Sequence, residues 1–172
     1  TGAPVIIATG EKLLREQDFG AGSSYGLSLG RIYRSFNSDS RMFGQKWMSD
    51  YDYPRLAFSG CWKHPDYGNL CIPQSVTFTQ PSGASYTYTR TSAQGGFVYL
   101  AKNARATGRF VYTPYDRWFL TQSQTTYQFS PAGVIQSVGT SGGGNLLTFT
   151  YGSNPEQPIR VTNGGGQYVN FT

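Results

Sequence analysis

The strongest constraint on the fold is a succession of short segments in which β-branched and aromatic residues alternate with polar ones. Several intervening stretches carry turn chemistry: Gln80-Pro-Ser-Gly83 and Ser130-Pro-Ala-Gly133 have Pro second and Gly fourth, as a type I turn prefers. Antiparallel hairpins produce this spacing. The segments begin at Val76, Tyr86, Phe97, Phe110, Trp118, Tyr127, Val134, Leu147, Ile159 and Val169. The sequence therefore predicts an all-β fold of antiparallel hairpins with little or no helix.

The composition agrees with that prediction and limits the size of the fold. The chain has 172 residues, of which 22 are Gly, 16% are aromatic and 13% are charged. This composition is typical neither of a disordered chain nor of a helical one rich in Ala, Glu and Lys. A chain of this length can bury about 70% of its unfolded surface. We expect one domain, or one domain and the beginning of another.

Aromatic residues recur in the last third of the chain. Phe129, Tyr151 and Phe171 are separated by 22 and 20 residues, and each stands at the end of a predicted strand. Glycine follows soon after the first two, at Gly133 and Gly152. A repeat of about 20 residues indicates units that bury their apolar faces only against neighbouring units. The interval therefore predicts a twisted, spiralling sheet.

The stretch from Leu29 to Leu56 mixes aromatic rings with cationic side chains. Such rings and Arg stems suit either a half-buried sheet surface or a ligand platform. The period-2 pattern predicts one shared face for Leu27, Leu29, Arg31 and Tyr33, and, if the next segment is extended, another for Trp47, Ser49, Tyr51 and Tyr53. Further upstream, Glu11 to Phe19 is predicted to be a strand.

The charge distribution and the hydropathy pattern restrict the partners. The net charge of +5 is spread along the chain, whereas a nucleic-acid-binding protein should carry a clustered basic footprint. No apolar run approaches the ~18 residues of a membrane span. We therefore expect neither a nucleic-acid partner nor a membrane span. Because the chain has no initiator Met and no signal peptide, we expect it to be part of a longer protein.

Few residues have catalytic or metal-binding potential. His64 is the only histidine, has no Ser or Cys partner at motif spacing, and is interpreted as a loop residue. Asp50 and Asp52 are the best acid pair. They could hold a cation or act as a glycosidase-like pair, but pairing with nearby arginines is the favoured interpretation. We predict no catalytic residue, no metal site and no cofactor.

Cys61 and Cys71 are separated by nine residues that include Pro65, Gly68 and Asn69. The spacing suits a small disulfide-closed loop, and no CxxC or Cys/His metal spacing competes for the two thiols. The alternative is a pair of reduced thiols in a cytosolic protein. We favour the disulfide, which implies an oxidising compartment.

Several motifs resemble one protein family. Pro4-Val-Ile-Ile-Ala-Thr-Gly-Glu-Lys12, Leu29-Gly-Arg-Ile-Tyr-Arg-Ser35 and Phe43-Gly-Gln-Lys-Trp-Met-Ser-Asp-Tyr-Asp52 are similar to the domain that precedes the repeats in bacterial Rhs (rearrangement hotspot) proteins. The units from about Tyr127 resemble the first YD repeats of those proteins, with Phe129-Ser130 in place of Tyr-Asp. The resemblance implies a pre-repeat domain over residues 1–120 and YD-type repeats over 121–172, continuous with the preceding sheet.

The resemblance implies a structural function. Rhs proteins wind a long β-sheet into a hollow shell that encloses a C-terminal toxin used in interbacterial competition. The expected partners are the remaining repeats of the same chain, that toxin and a secretion apparatus, and the expected location is secreted, cell-surface or periplasmic. No catalytic residue of the family carries over. The alternative is a cell-surface module in which Trp47, Tyr51, Tyr53 and Trp62 bind glycan.

Within the structural interpretation, the Leu29–Leu56 stretch becomes a clasp between the leading segment and the first turns of the sheet. We predict that Arg31, Arg34 and Arg55 bind three carboxylates, namely those of Asp18, Asp50 and Asp52. Tyr33, Trp47 and Tyr51 are predicted to form a layer above them.

Overall fold

The structure is a computed structural model that describes residues 4–20, 27–91, 97–101 and 107–172. These residues form strands and a single 3₁₀ turn at Pro65–Tyr67. In chain order the strands are β1 (Val5–Ile6), β2 (Glu11–Gly20), β3 (Ser28–Arg34), β4 (Ser40–Arg41), β5 (Gly44–Gln45), β6 (Trp47–Ser49), β7 (Arg55–Ser59), β8 (Trp62–His64), β9 (Leu70–Ile72), β10 (Ser75–Thr79), β11 (Ser85–Thr91), β12 (Phe97–Ala101), β13 (Arg109–Thr113), β14 (Arg117–Gln122), β15 (Thr125–Phe129), β16 (Ile135–Thr140), β17 (Asn145–Tyr151), β18 (Pro158–Asn163) and β19 (Tyr168–Asn170).

The larger of the two main sheets is antiparallel and has eleven strands. From β10 to β19 each strand pairs with the next strand along the chain, and β7 pairs with β10 on the other side. The short hairpin β8–β9 is inserted between β7 and β10. The prediction of an all-β fold built from antiparallel hairpins is confirmed, and the sheet passes residue 120 without interruption, inside β14.

The alternating pattern of the strands buries one face of this sheet. Val76 and Phe78 in β10 are fully buried, and the residues that alternate with them, Ser75, Thr77 and Thr79, are half-buried. Aromatic rings fill most of the interior. Trp118 stacks on Tyr112 at 4.2 Å and on Phe58 at 4.9 Å between ring centroids. This apolar core holds the sheet together, because each buried large side chain contributes about 1.5–3 kcal/mol.

The tight turns follow the chemistry read from the sequence. In the turns from Gln80 to Gly83 and from Ser130 to Gly133, the glycine N–H donates to the carbonyl of the first residue at 2.8 and 2.9 Å. The glycines at both fourth positions have φ near +82°. Because each of these turns joins two strands directly, it keeps them adjacent and fixes their register.

The sheet folds back on itself where β7 meets the turn that precedes β16. The Leu56 N–H donates to the Gly133 carbonyl at 3.1 Å, and Arg55 and Val134 form an antiparallel bridge. A Cβ on Gly133 would lie 2.9 Å from the Leu56 carbonyl oxygen, so this close approach requires glycine. The edge of β7 is thereby covered. In the described part of the chain, β19 pairs on one side only, with β18.

The aromatic repeat occupies equivalent places at the ends of alternate strands. Phe129 ends β15 opposite Ile135, and Tyr151 ends β17, where its hydroxyl donates to the Ile135 carbonyl at 2.6 Å. Phe171 follows β19, and its N–H donates to the Ile159 carbonyl at 2.9 Å. Each of these aromatic residues therefore lies at the end of one strand and contacts a neighbouring strand.

A second, four-stranded sheet in the order β1-β2-β3-β6 precedes the large one. The predicted strand at Glu11 to Phe19 is confirmed, and it pairs with β3 from Leu13↔Arg34 to Gly20↔Ser28. The assumption that Trp47 to Leu56 is extended throughout is wrong. The strand ends at Ser49, and residues 50–52 form a turn.

Candidate functional site at the junction of the two sheets

The segment from Leu29 to Leu56 lies where the four-stranded sheet meets the eleven-stranded one. Leu29 and Tyr51 belong to the same buried cluster as the core of the large sheet. The Tyr51 ring contacts Phe149 at 6.2 Å and Phe171 at 5.8 Å, edge to face. The site is therefore a contact surface between the leading segment and the repeat-like strands.

Arg31 is placed by β3 among both acids and rings. Its Nε and Nη2 donate to the two oxygens of Asp18 at 2.6 Å each, and Nη2 also donates to Glu16 at 2.8 Å. The guanidinium lies 5.0 Å from the ring centres of Phe43 and Trp47. A bidentate pair with additional cation–π contacts is a strong arrangement for an exposed arginine. The predicted Arg31–Asp18 pair is present.

Trp47 and Tyr33 form part of the predicted aromatic layer. Their rings meet edge to face at 5.6 Å, because the register of β3 and β6 places the two residues opposite each other. Tyr51 lies outside this layer and packs on the other sheet.

Arg34 binds a carboxylate that was not among its predicted partners. Its Nε and Nη2 donate to the two oxygens of Glu11 at 2.9 and 2.6 Å, and Glu11 is only 4% exposed. The Arg34 hydrogen bond holds the pKa of Glu11 below its usual value. The expectation that Arg34 binds Asp50 or Asp52 is wrong, since its partner lies 23 residues away in β2.

Asp50 and Asp52 bind backbone groups. The Asp50 carboxylate accepts from the Gly30 N–H at 2.8 Å. This hydrogen bond connects the turn at residues 50–52 to β3. Asp52 accepts from the Ser49 N–H at 2.9 Å, from the Ser49 hydroxyl and from the Met42 N–H at 3.2 Å. Burial raises the pKa of both carboxyls. Their predicted pairing with arginines is therefore wrong: Asp52 stabilises its own turn, and Asp50 connects that turn to β3.

Arg55 and Arg41 share a carboxylate across the junction. Arg41 donates to Glu156 at 2.8 Å and Arg55 donates to the other oxygen at 3.2 Å. Arg41 belongs to β4, Arg55 to β7 and Glu156 to the β17–β18 connection. Arg55 was expected to bind an aspartate nearby. Glu156 lies 101 residues from Arg55, so no local pattern identifies it.

The four aromatic residues of the alternative glycan platform do not form a shared exposed surface. Tyr51 is 1% exposed and Tyr53 is 3% exposed, so neither ring offers a face for stacking. The Tyr53 hydroxyl donates to Asp39, and burial raises its pKa to about 12. Among the residues that the structure describes, Trp47 and Trp62 share no ring neighbour. Trp62 contacts His64, Phe97 and the Arg90 guanidinium instead.

Cys61 and Cys71 lie at the hairpin β8–β9, with their sulfur atoms 2.19 Å apart, as in a disulfide. His64 ends β8, accepts from the Asp66 N–H through Nδ1 at 3.2 Å, and packs edge to face on Trp62 and Tyr67. This placement gives the histidine a structural role in the loop.

The polar groups at the junction are arranged to hold chain segments together. Among residues 4–20, 27–91, 97–101 and 107–172, no group of His, Cys, Asp and Glu is arranged to hold a metal ion. Nor does that part of the chain contain a helix of the length and hydropathy needed to cross a membrane.

By its fold the chain is an antiparallel all-β protein with a leading four-stranded sheet fixed to a long hairpin succession by ion pairs and aromatic contacts. It belongs to the family described as "Domain of unknown function (DUF6531)", which matches residues 2–88, just over half of the chain. That match includes the whole Leu29–Leu56 segment. A comparison with curated proteins gave no match.

Proposed function

We propose that this chain is the structural N-terminal part of an Rhs-type, YD-repeat shell that encloses a C-terminal toxin for delivery in interbacterial competition. In this role it is not itself an enzyme, and it acts outside the cytoplasm, at the cell surface or after secretion. Its partners are the later repeats of the same polypeptide and the enclosed region. The proposal rests on the Rhs resemblance of the sequence, together with one structural observation.

That observation is the asymmetry of the two edges of the large sheet. The β7 edge is covered by the first repeat-like turn, through the Leu56–Gly133 hydrogen bond and the Arg55–Val134 bridge. The β19 edge carries a neighbour on one side only within the described residues. An open edge is a template for further strands. A sheet closed at its beginning and open at its end suits the first turn of a wound shell.

The clasp supports the same role. Tyr51 packs on Phe149 in β17 and on Phe171, a member of the aromatic repeat. Glu156 binds Arg41 of β4 and Arg55 of β7. The leading segment would thus seal the first winding.

Protease protection of the longer native polypeptide tests the proposal. We expect its C-terminal region to resist added protease in the intact protein and to become digestible in a Gly133→Val variant, because the side chain would force β7 away from the turn. Gly143→Val is the matched control. Gly143 has a similar φ of +92°, but nothing lies within 4 Å of its Cβ position, so that variant should keep the protection. The proposal would be contradicted if protease digested the C-terminal region of the unaltered polypeptide as fast as that of the Gly133→Val variant.

A further inference from the structure

A polar crevice separates the end of the four-stranded sheet from the β10–β11 hairpin. Its volume is about 390 Å³, and the residues that line it come from both sheets. Ligand sites of this size, about 300–1,000 Å³, occur preferentially where two structural units meet. We call this space the Arg34 crevice. Its lining residues are Glu11, Arg34, Phe36, Asn37, Asp39, Met48, Tyr53, Thr79, Gly83 and Ser85.

The charges of the crevice are mutually neutralised. Arg34 forms a bidentate pair with Glu11. Asp39 accepts from the Tyr53 hydroxyl and lies 3.6 Å from the Arg41 guanidinium. An anion would meet an arginine that already binds a carboxylate, and a cation would meet carboxylates that already have cationic partners. The lining therefore favours a neutral ligand.

The crevice nevertheless offers many hydrogen-bonding groups. The hydroxyls of Thr79 and Ser85 lie side by side at 2.9 Å, and each can also donate or accept toward a ligand. The Asn37 Oδ1 accepts from the Asp39 N–H, while its Nδ2 has no hydrogen-bond partner within the described part of the chain. Burial deprives this donor of the hydrogen bond that water would give it, and a bound acceptor could supply one.

An aromatic ring stands at the rim of the same space. Phe36 is 66% exposed although it is large and apolar, and it is a neighbour of Asn37 in the loop after β3. The faces of aromatic rings pack on the C–H faces of sugars, while hydroxyl and amide groups bind the sugar hydroxyls. A neutral lining, paired hydroxyls, a free amide donor and an exposed ring together match one chemical class.

We propose that the Arg34 crevice binds a neutral pyranose sugar, either free or as the end of a glycan, with Phe36 against its C–H face. Asn37, Thr79 and Ser85 bind the sugar hydroxyls. This site shares Tyr53 with the platform considered from the sequence but includes neither Trp47 nor Trp62, and it does not depend on the shell.

Saturation-transfer NMR with the 172-residue chain tests the site, using methyl glucoside, methyl galactoside and N-acetylglucosamine as probes at millimolar concentration. We expect transfer to at least one of them. Asn37→Leu and Phe36→Ala should each weaken its binding about tenfold, a loss of about 1.4 kcal/mol. Ser75→Ala is the matched control, because the Ser59–Ser75 hydroxyl pair crosses neighbouring strands at 3.3 Å without lining the crevice.

Thermal unfolding of each variant shows whether the fold is intact. Because Phe36 is largely exposed, its variant should unfold at the temperature of the unaltered chain. The proposal is overturned if the folded chain transfers no saturation to any of the three sugars, or if Asn37→Leu and Phe36→Ala bind as tightly as Ser75→Ala. Binding of inorganic phosphate in place of the sugars, lost in Asn37→Leu, would likewise overturn the assignment to a neutral ligand.

Discussion

The four-stranded and the eleven-stranded sheets differ in what their side chains bury. In the described residues both buried carboxylates, Glu11 and Asp52, lie in the leading part of the chain. Arg34 binds the buried Glu11, and Arg31 binds the more exposed Asp18. The large sheet buries rings instead, among them Trp118, Tyr88 and Phe110. One region is thus stabilised largely by directed polar contacts and the other by the removal of apolar surface from water.

This difference sets how each region responds to solution conditions. Apolar burial involves no charge and is not weakened by ionic screening, whereas interactions between exposed charges are screened over a Debye length of about 8 Å at physiological ionic strength. The leading segment should therefore loosen under conditions that leave the large sheet intact. The variants below test that contrast, beginning with the aromatic core.

Phe110→Ala should have the largest effect. Phe110 is fully buried and contacts Tyr88 at 4.9 Å and Phe78 at 6.1 Å. Loss of the ring leaves a cavity and should lower the free energy of unfolding by about 3–5 kcal/mol, equally at low and high salt. Urea unfolding measures it. Leu100→Ala is the control: Leu100 is 47% exposed on the neighbouring strand, so its loss should cost about 0.5 kcal/mol. If Phe110→Ala and Leu100→Ala lost the same free energy of unfolding, the face of the sheet that contains Phe110 would not be the core.

Asp52→Ala comes next, because it tests the turn that joins the two regions. The substitution leaves the Ser49 and Met42 N–H groups without their acceptor, and the cost should be about 2–3 kcal/mol. Asp66→Ala is the matched control, since the Asp66 side chain is 84% exposed and its removal should change stability by less than about 0.5 kcal/mol. An Asp52→Ala protein that unfolds at the same urea concentration as Asp66→Ala would show that the carboxylate is not needed for the turn.

The sequence predicts the large sheet better than the leading one, for a physical reason. Strands such as β10 and β13 are defined by period-2 alternation and by turns only four residues long, and both signals are local. The side-chain partners of the clasp are not local: Arg34 binds Glu11 and Arg41 binds Glu156. Charge complementarity permits many such pairings, and only the tertiary structure selects among them.

The turn after β6 was missed although a signal was present. Ser49 and Asp52 stand three residues apart, the spacing at which a Ser hydroxyl and an acidic side chain exchange hydrogen bonds with each other's backbone N–H groups. Alternating aromatics from Trp47 to Tyr53 instead favoured an extended segment. Here the side-chain-to-backbone bonds of one serine and one aspartate outweigh the period-2 pattern.

Arg31→Met should have a smaller effect, and one that depends on salt. Methionine keeps an apolar stem on Phe43 and Trp47 but loses the bonds to Asp18 and Glu16. We expect a loss of about 1 kcal/mol in low salt that falls toward zero in 1 M NaCl. Arg117→Met is the control, because Arg117 is more exposed and pairs only with the adjacent Asp116 within the described residues. If the two variants lose the same stability in low salt, the Arg31 cluster does not clasp the leading segment.

Glu11→Gln should produce the smallest change in stability, and the size of that change should depend on pH. Since Arg34 lowers the pKa of Glu11 in the folded protein, the pair stabilises the fold above the unfolded pKa near 4.5, and that stabilisation is lost as the pH falls through the lowered folded pKa. The melting temperature of the unaltered chain should therefore exceed that of Glu11→Gln at pH 6, and the gap should close on acidification below pH about 4. In an Arg34→Gln background the same substitution should leave the shape of the acid limb unchanged, because the partner that lowers the pKa is gone. Parallel pH profiles of the unaltered chain and Glu11→Gln would mean that this ion pair makes no pH-dependent contribution to holding the leading sheet.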